Sequence, residues 1–141
     1  MIAGRARREG GQAAVLLLGV LALAVVFVAL AVDGARLLTV RRDLHAVADS
    51  AALAGASAID EHAYRETVGH DIRLDAQLAR DAAERVLAAS GLPEGTTVQV
   101  DVDETGVDVR ITRDVPTVLL RTAGLTSERI GAHARAEPRR L

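Results

Sequence analysis

The chain has 141 residues, a formal net charge of -2 and half its residues hydrophobic, with only one Phe, one Tyr and no Trp or Cys. Disulfides, thiolate metal sites and cysteine nucleophiles are therefore excluded, and a mildly acidic chain without aromatic platforms is a poor match to nucleic acid, which rewards basic patches and stacking. With Phe27 and Tyr64 as the aromatics, a core must be built from Val, Leu and above all Ala, each removing little area from water, so a thin domain is expected.

Arg5, Arg7 and Arg8 make the first twelve residues a basic head. From Gly10 to Val32 no residue is charged, and the run 13–32 spans about 30 Å as a helix at ~1.5 Å per residue, the thickness of a hydrocarbon core. It reads as a transmembrane helix. An A-x-A-like site at Ala29-Leu30-Ala31 keeps a cleaved signal peptide as the rival reading. Arginines flank the run equally, Arg36, Arg41 and Arg42 balancing the head, so the positive-inside count does not orient it. The short head abutting the apolar run does: it predicts a cytoplasmic N-terminus and an extracytoplasmic C-terminal domain, in a single-pass protein of the cell membrane.

Nothing after Val32 stops the helix at the interface, so 33–59 is predicted to extend it. Leu37, Val40, Leu44, Val47, Ala51, Ala54 and Ala58 recur at alternating steps of three and four and form a helix-packing stripe. That stripe packs either against the chain's own sheet or between helices of neighbouring subunits. An extracytoplasmic domain is expected over 60–137, followed by a short tail, 138–141. Its second helix reads as Tyr64 to Ser90, with Val68, Ile72, Ala79, Ala82, Ala83 and Val86 on one side, Arg80–Glu84 and Asp81–Arg85 spaced as i, i+4 pairs, and Gly91 and Pro93 as the stop.

Period-two alternation follows. Val98, Val100 and Val102, then Val107, Val109 and Ile111, flank a turn at Glu104-Thr105-Gly106 and predict an antiparallel hairpin with one wet face. Pro116 is expected to open a short apolar helix or turn, Val115 to Ala123, closed by Gly124. Ile130, Ala132, Ala134 and Ala136 alternate as a third strand pairing with the hairpin. The fold class is α+β: a transmembrane helix extended into a long amphipathic helix, a second helix, then a small antiparallel sheet of about three strands.

Catalytic constellations do not assemble. His62, Glu66 and His70 share a helix face at spacings open to a metal, yet no HExxH pattern supports them and a solvated face accounts for them. His45, Asp49 and Ser50 collect triad residue types on one helix, where they cannot surround a substrate. Gly4 and Glu9 have the spacing of a prepilin cleavage site, but charged residues lie between them. No enzyme activity, cofactor, metal or small-molecule substrate is expected.

The runs Arg7 to Val15, Val32-Asp33-Gly34-Ala35-Arg36-Leu37 and Leu44 to Ala56, in that order around the apolar helix, resemble the N-terminal module of TadE/TadG-like proteins of Flp pilus assembly. Arg113-Asp114-Val115-Pro116-Thr117 and the Ala132 to Ala136 strand are similar, more loosely, to small actinobacterial members. TadE-type members carry a Glu near an aromatic at the start of the apolar helix, where this chain has Ala14 to Leu17. The resemblance implies a membrane-anchored, non-catalytic, pseudopilin-like component of a Tad/Flp pilus assembly or related secretion apparatus. Its implied partners are the lipid bilayer, other Tad or pilus components and further copies of itself. The rival from another class is a secreted or anchored extracytoplasmic binding domain unrelated to pili.

Overall fold

A computed structural model describes residues 3–58 and 74–138, with the side chains of 3–10 and 122–123 outside the description. The element order is α1 (Ala3–Ala56), α2 (Ala76–Ala89), β1 (Thr96–Asp103), β2 (Gly106–Pro116), a 3-10 turn (Leu120–Ala123) and β3 (Ser127–Ala136). This is the α+β architecture expected, with a three-stranded antiparallel sheet in the order β1-β2-β3. The chain divides into two compact units: one contains α1 as far as Arg36 together with Thr117–Thr126, the other Leu37–Pro116 and the segment from Ser127 onward.

In the first unit α1 is helical throughout and its large side chains, Val15 to Val32, lie exposed. The stretch from Gly11 qualifies by length and apolarity as a membrane span. A helix that exposes its hydrophobic residues all round suits a lipid surrounding.

In the second unit an alanine-rich face of α1 (Leu44, Ala48, Ala51, Ala52, Ala56) and the Ala79, Ala83 and Leu87 face of α2 share one core with Val107, Val109, Ile111, Val115 and the inner residues of β3. Small side chains bring the backbones close. A Cβ on Gly55 would stand 2.9 Å from Val107 Cγ2 and 3.0 Å from the Ala79 carbonyl oxygen, so α1, α2 and β2 meet where only hydrogen fits.

Helix α2 is capped at Asp75. Asp75 is extended and its Oδ1 accepts from the Gln77 and Leu78 N–H groups, both at 3.0 Å, an N-cap that sets the first turn at Ala76. The expected helical residues 64–73, Val68 and Ile72 among them, lie outside the described residues, as do His62, Glu66 and His70. Nor do the i, i+4 charge pairs form as spaced. Arg80 instead donates to the Val100 carbonyl at 2.9 Å, covering a backbone acceptor on edge strand β1, and Arg85 reaches the Asp81 carbonyl oxygen.

The hairpin turns over Glu104-Thr105, with Asp103 opposite Gly106, and register pairs Val100 with Val109 and Ile111 with Ala132. Asp103 Oδ1 accepts from the Thr105 N–H at 2.8 Å and hydroxyl at 2.6 Å, closing the turn. Alternation puts the apolar residues of β3 inward and Arg129, Gly131, His133 and Arg135 outward. Pro116 does not open a helix. It ends β2, paired with Ser127, and the turn that follows is the 3-10 turn from Leu120, closed by Gly124 at φ 88°. At the end of a strand a proline breaks no interior ladder bond.

Candidate functional site

Among the described residues of the first unit, one charged group is buried. Asp33 follows directly on the uncharged run, and its side chain is 1% exposed. Such a carboxylate costs several kcal/mol unless donors replace water, on the order of what a desolvated ion loses. Three backbone N–H groups do so: Val118 donates to Oδ1 at 3.2 Å, and Leu119 and Leu120 to Oδ2 at 2.9 and 2.7 Å. These are the N–H groups that the start of the 3-10 turn leaves without intrahelical acceptors, and Leu119, its own cap residue, offers no side-chain oxygen. Asp33 thus caps from another segment of the chain a turn that has no local cap.

The rest of that segment closes on itself. Thr117 N–H donates to the Thr126 carbonyl at 3.1 Å, Leu125 N–H to the Leu120 carbonyl at 3.2 Å, and the Thr117 hydroxyl to the Leu125 carbonyl. In the sequence, Asp33 lies in the Val32 to Leu37 run and the expected helix or turn at Val115 to Ala123 lies far from it, with nothing local to join them. The available signal was a carboxylate flush with the end of a run long enough to cross a bilayer.

Of the sequence stripe, Leu44 and Ala51 lie in the core of the second unit, Leu37, Val40, Val47 and Ala58 are half-buried against it, and Ala54 is half-buried. The covered face of α1 runs through Leu44, Ala48, Ala51, Ala52, Gly55 and Ala56, so it shares Leu44 and Ala51 with the stripe and adds their small neighbours. Leu38 and Leu53 stand exposed beside it.

His45, Asp49 and Ser50 share α1, and the Ser50 hydroxyl donates to its own helix at the Ala46 carbonyl, 2.7 Å away, leaving it directed to backbone rather than to an imidazole. Among the described residues no three His, Cys, Asp or Glu side chains are grouped to hold a metal ion. A groove of about 350 Å³ is lined by Leu37, Leu38, Arg41 and Glu128 to Gly131. Its polar side chains are all exposed and none converges on a buried point, as a ligand chamber requires.

The outer face of the sheet carries ion pairs. Arg129 Nε lies 3.0 Å from Asp114 Oδ1, His133 Nε2 2.7 Å from Asp108 Oδ2, and Arg135 3.1 Å from Asp103 Oδ2. The Thr105 hydroxyl and N–H, then Arg135, hold the Asp103 carboxyl down at about 2. Arg129 likewise lowers Asp114 by a charge-assisted hydrogen bond. These solvated contacts each match a β3 side chain to a hairpin carboxylate, the two arginines as ion pairs, and so fix register more than stability.

The fold and this site define a class: a chain with, among the described residues, one candidate membrane-spanning helix that continues without a break into a small α+β unit. Residues 11–58 are similar to the family whose model is described as "Putative Flp pilus-assembly TadE/G-like". The match covers about a third of the chain and includes the apolar run, Asp33 and the α1 face of the second unit's core. No curated protein and no solved structure matches the chain.

Proposed function

We propose that the chain is a membrane-anchored, non-catalytic component of a Tad/Flp-type pilus assembly or related secretion apparatus, its C-terminal domain outside the cytoplasm. The observation that carries this reading is the TadE/G-like match over 11–58, coincident with an uncharged helix that runs on into a folded unit. In this arrangement 1–12 is a cytoplasmic head, 13–32 crosses the bilayer, 33–59 carries the helix outward and 60–137 forms the extracytoplasmic domain. The partners are the lipid bilayer and other Tad or pilus components, with further copies of the chain among them.

Partner contact is assigned to the α1 stripe where the chain's own core leaves it half covered, at Leu37, Val40 and Val47. Leu44 and Ala51 support that surface from beneath. Val40→Asp in the full chain is expected to remove co-purifying apparatus components while membrane retention and protease resistance persist. Co-purification unchanged in that variant would assign the contact elsewhere.

Intact mass and N-terminal sequencing of the protein from fractionated cells test the anchor. A membrane-bound chain beginning near Met1 supports the reading. A soluble chain beginning at Val32 would replace it with a secreted binding domain, and a start at Arg5 or Gln12 would mean prepilin-style processing.

A further inference from the structure

The segment Thr117–Thr126 exposes three large aliphatic side chains, Val118 at 56%, Leu119 at 39% and Leu125 at 57% of their surface. A short loop in water normally shows polar turn residues. Exposed aliphatics grouped in one loop mark a surface that something apolar covers.

Two observations identify the cover. First, Asp33 holds this loop, and it lies one residue, about 1.5 Å along the helix, beyond the uncharged run. The loop and the run belong to one compact unit, and both expose large aliphatic side chains. Second, six of the loop's backbone donors need no water. The N–H groups of Thr117, Val118, Leu119, Leu120, Gly124 and Leu125 all have acceptors within the chain, half of them at the Asp33 carboxylate. Irregular backbone meets the edge of a bilayer at low cost only when its polar groups are already satisfied.

Charge fits the same place. Arg36, one turn after Asp33, and Arg121, in the 3-10 turn, are both exposed. Cations flanking aliphatic side chains suit the headgroup layer, where the stems remain apolar and the guanidinium groups meet phosphate.

We propose that Thr117–Thr126 is an interfacial membrane-docking loop, which rests Val118, Leu119 and Leu125 in the lipid surface at the exit of the anchor and is fastened there by the Asp33 carboxylate. The helix therefore has a second, lateral foothold on the bilayer. Asp33 acts as a positioning residue, reaching the lipid through the loop it caps. The inference rests on the anchor reading above, and the experiment separates the two.

Because the chain contains no cysteine, single substitutions carry one environment-sensitive fluorophore each. The full chain is reconstituted alone into phosphatidylcholine and phosphatidylglycerol vesicles with labels at Leu119→Cys, Leu125→Cys, Leu21→Cys in the anchor, or Thr97→Cys on the exposed face of β1. Labels at 119 and 125 are expected to emit blue-shifted light and to be quenched by headgroup-level nitroxide lipids. The label at 21 should answer to deep nitroxides, and that at 97 only to aqueous iodide. Asp33→Ala should return the labels at 119 and 125 to the aqueous behaviour of 97 while 21 stays in lipid.

If 119 and 125 behave as 97 does while 21 remains lipid-quenched, the loop proposal falls and the anchor reading stands. Loss of lipid quenching at 21 as well would overturn both. Unchanged quenching at 119 and 125 in the Asp33→Ala chain would overturn the fastening role of Asp33.

Discussion

The two compact units bury opposite kinds of group. In the first, large aliphatics from Val15 to Val32 lie exposed and a carboxylate is sealed from solvent. In the second, Val107, Val109 and Ile111 are fully buried and the charges of the sheet stand in pairs on its outer face. One surrounding medium does not favour both patterns. The second follows from transfer of apolar surface out of water; the first suits a hydrocarbon solvent, in which an unpaired carboxylate must find donors inside the chain.

Truncation at the centre of each unit separates them most sharply. Ile111→Ala should cost the second unit about 4 kcal/mol, because a fully buried side chain leaves a cavity that an alanine-rich core has little slack to fill. Urea-dependent proteolysis of the full chain in detergent reads this cost, and Leu21→Ala should leave the same transition unmoved. Equal shifts from both variants would mean that the units do not differ in solvent.

A charge inverts the test. Leu21→Arg places a guanidinium near the middle of the uncharged run at an insertion cost of roughly 3 kcal/mol and should reduce membrane retention on carbonate extraction. Wild-type retention would count against the anchor. The junction at Gly55 comes next: Gly55→Ala must displace Val107 or the α2 backbone and should cost about 2 kcal/mol, read as an earlier urea midpoint. A midpoint unchanged or raised would show that α1 yields at this point.

At the clasp, Asp33→Ala strips the acceptor from three N–H groups. Amide exchange at Val118, Leu119 and Leu120 should accelerate by about tenfold or more while Ile111 stays protected. Exchange rising equally at Ile111 would place the effect in the second unit's fold instead.

The smallest effect concerns pH. The Asp103 carboxyl is held at about 2 against an ordinary 3.8, so the folded hairpin favours its ionised form. Its contribution is fully present above the unfolded value near 4 and is lost as pH falls through about 2. Asp103→Asn should flatten the loss of hairpin amide protection between pH 4 and 2. The exposed setting keeps the effect slight. An unaltered acid profile in Asp103→Asn would assign that loss to other carboxylates, with Asp114, held down by Arg129, the next to test.

Much of the fold was legible because its signals are periodic. Twenty uncharged residues, a three-four recurrence and three alternating stretches predict a long helix and a small sheet from local pattern alone. The departures occur where one non-periodic residue decides. The Asp75 side chain sets the first turn of α2 at Ala76, and Pro116, in a context open to helix or turn, takes the last rung of β2. Arg80 was spaced for Glu84 on its own helix but finds a carbonyl on the edge strand.

By itself, then, the sequence determined the apolar run, the α+β order and the inward faces of the strands, since these follow from how often an apolar residue recurs along the chain. Only the tertiary structure decided that Ala48, Ala52 and Gly55 are covered on α1 along with the stripe residues Leu44 and Ala51. It alone joined Asp33 to N–H groups some 85 residues away. Periodicity selects a face but not its rotation against a neighbour, and a hydrogen bond across that distance leaves no periodic mark on either partner.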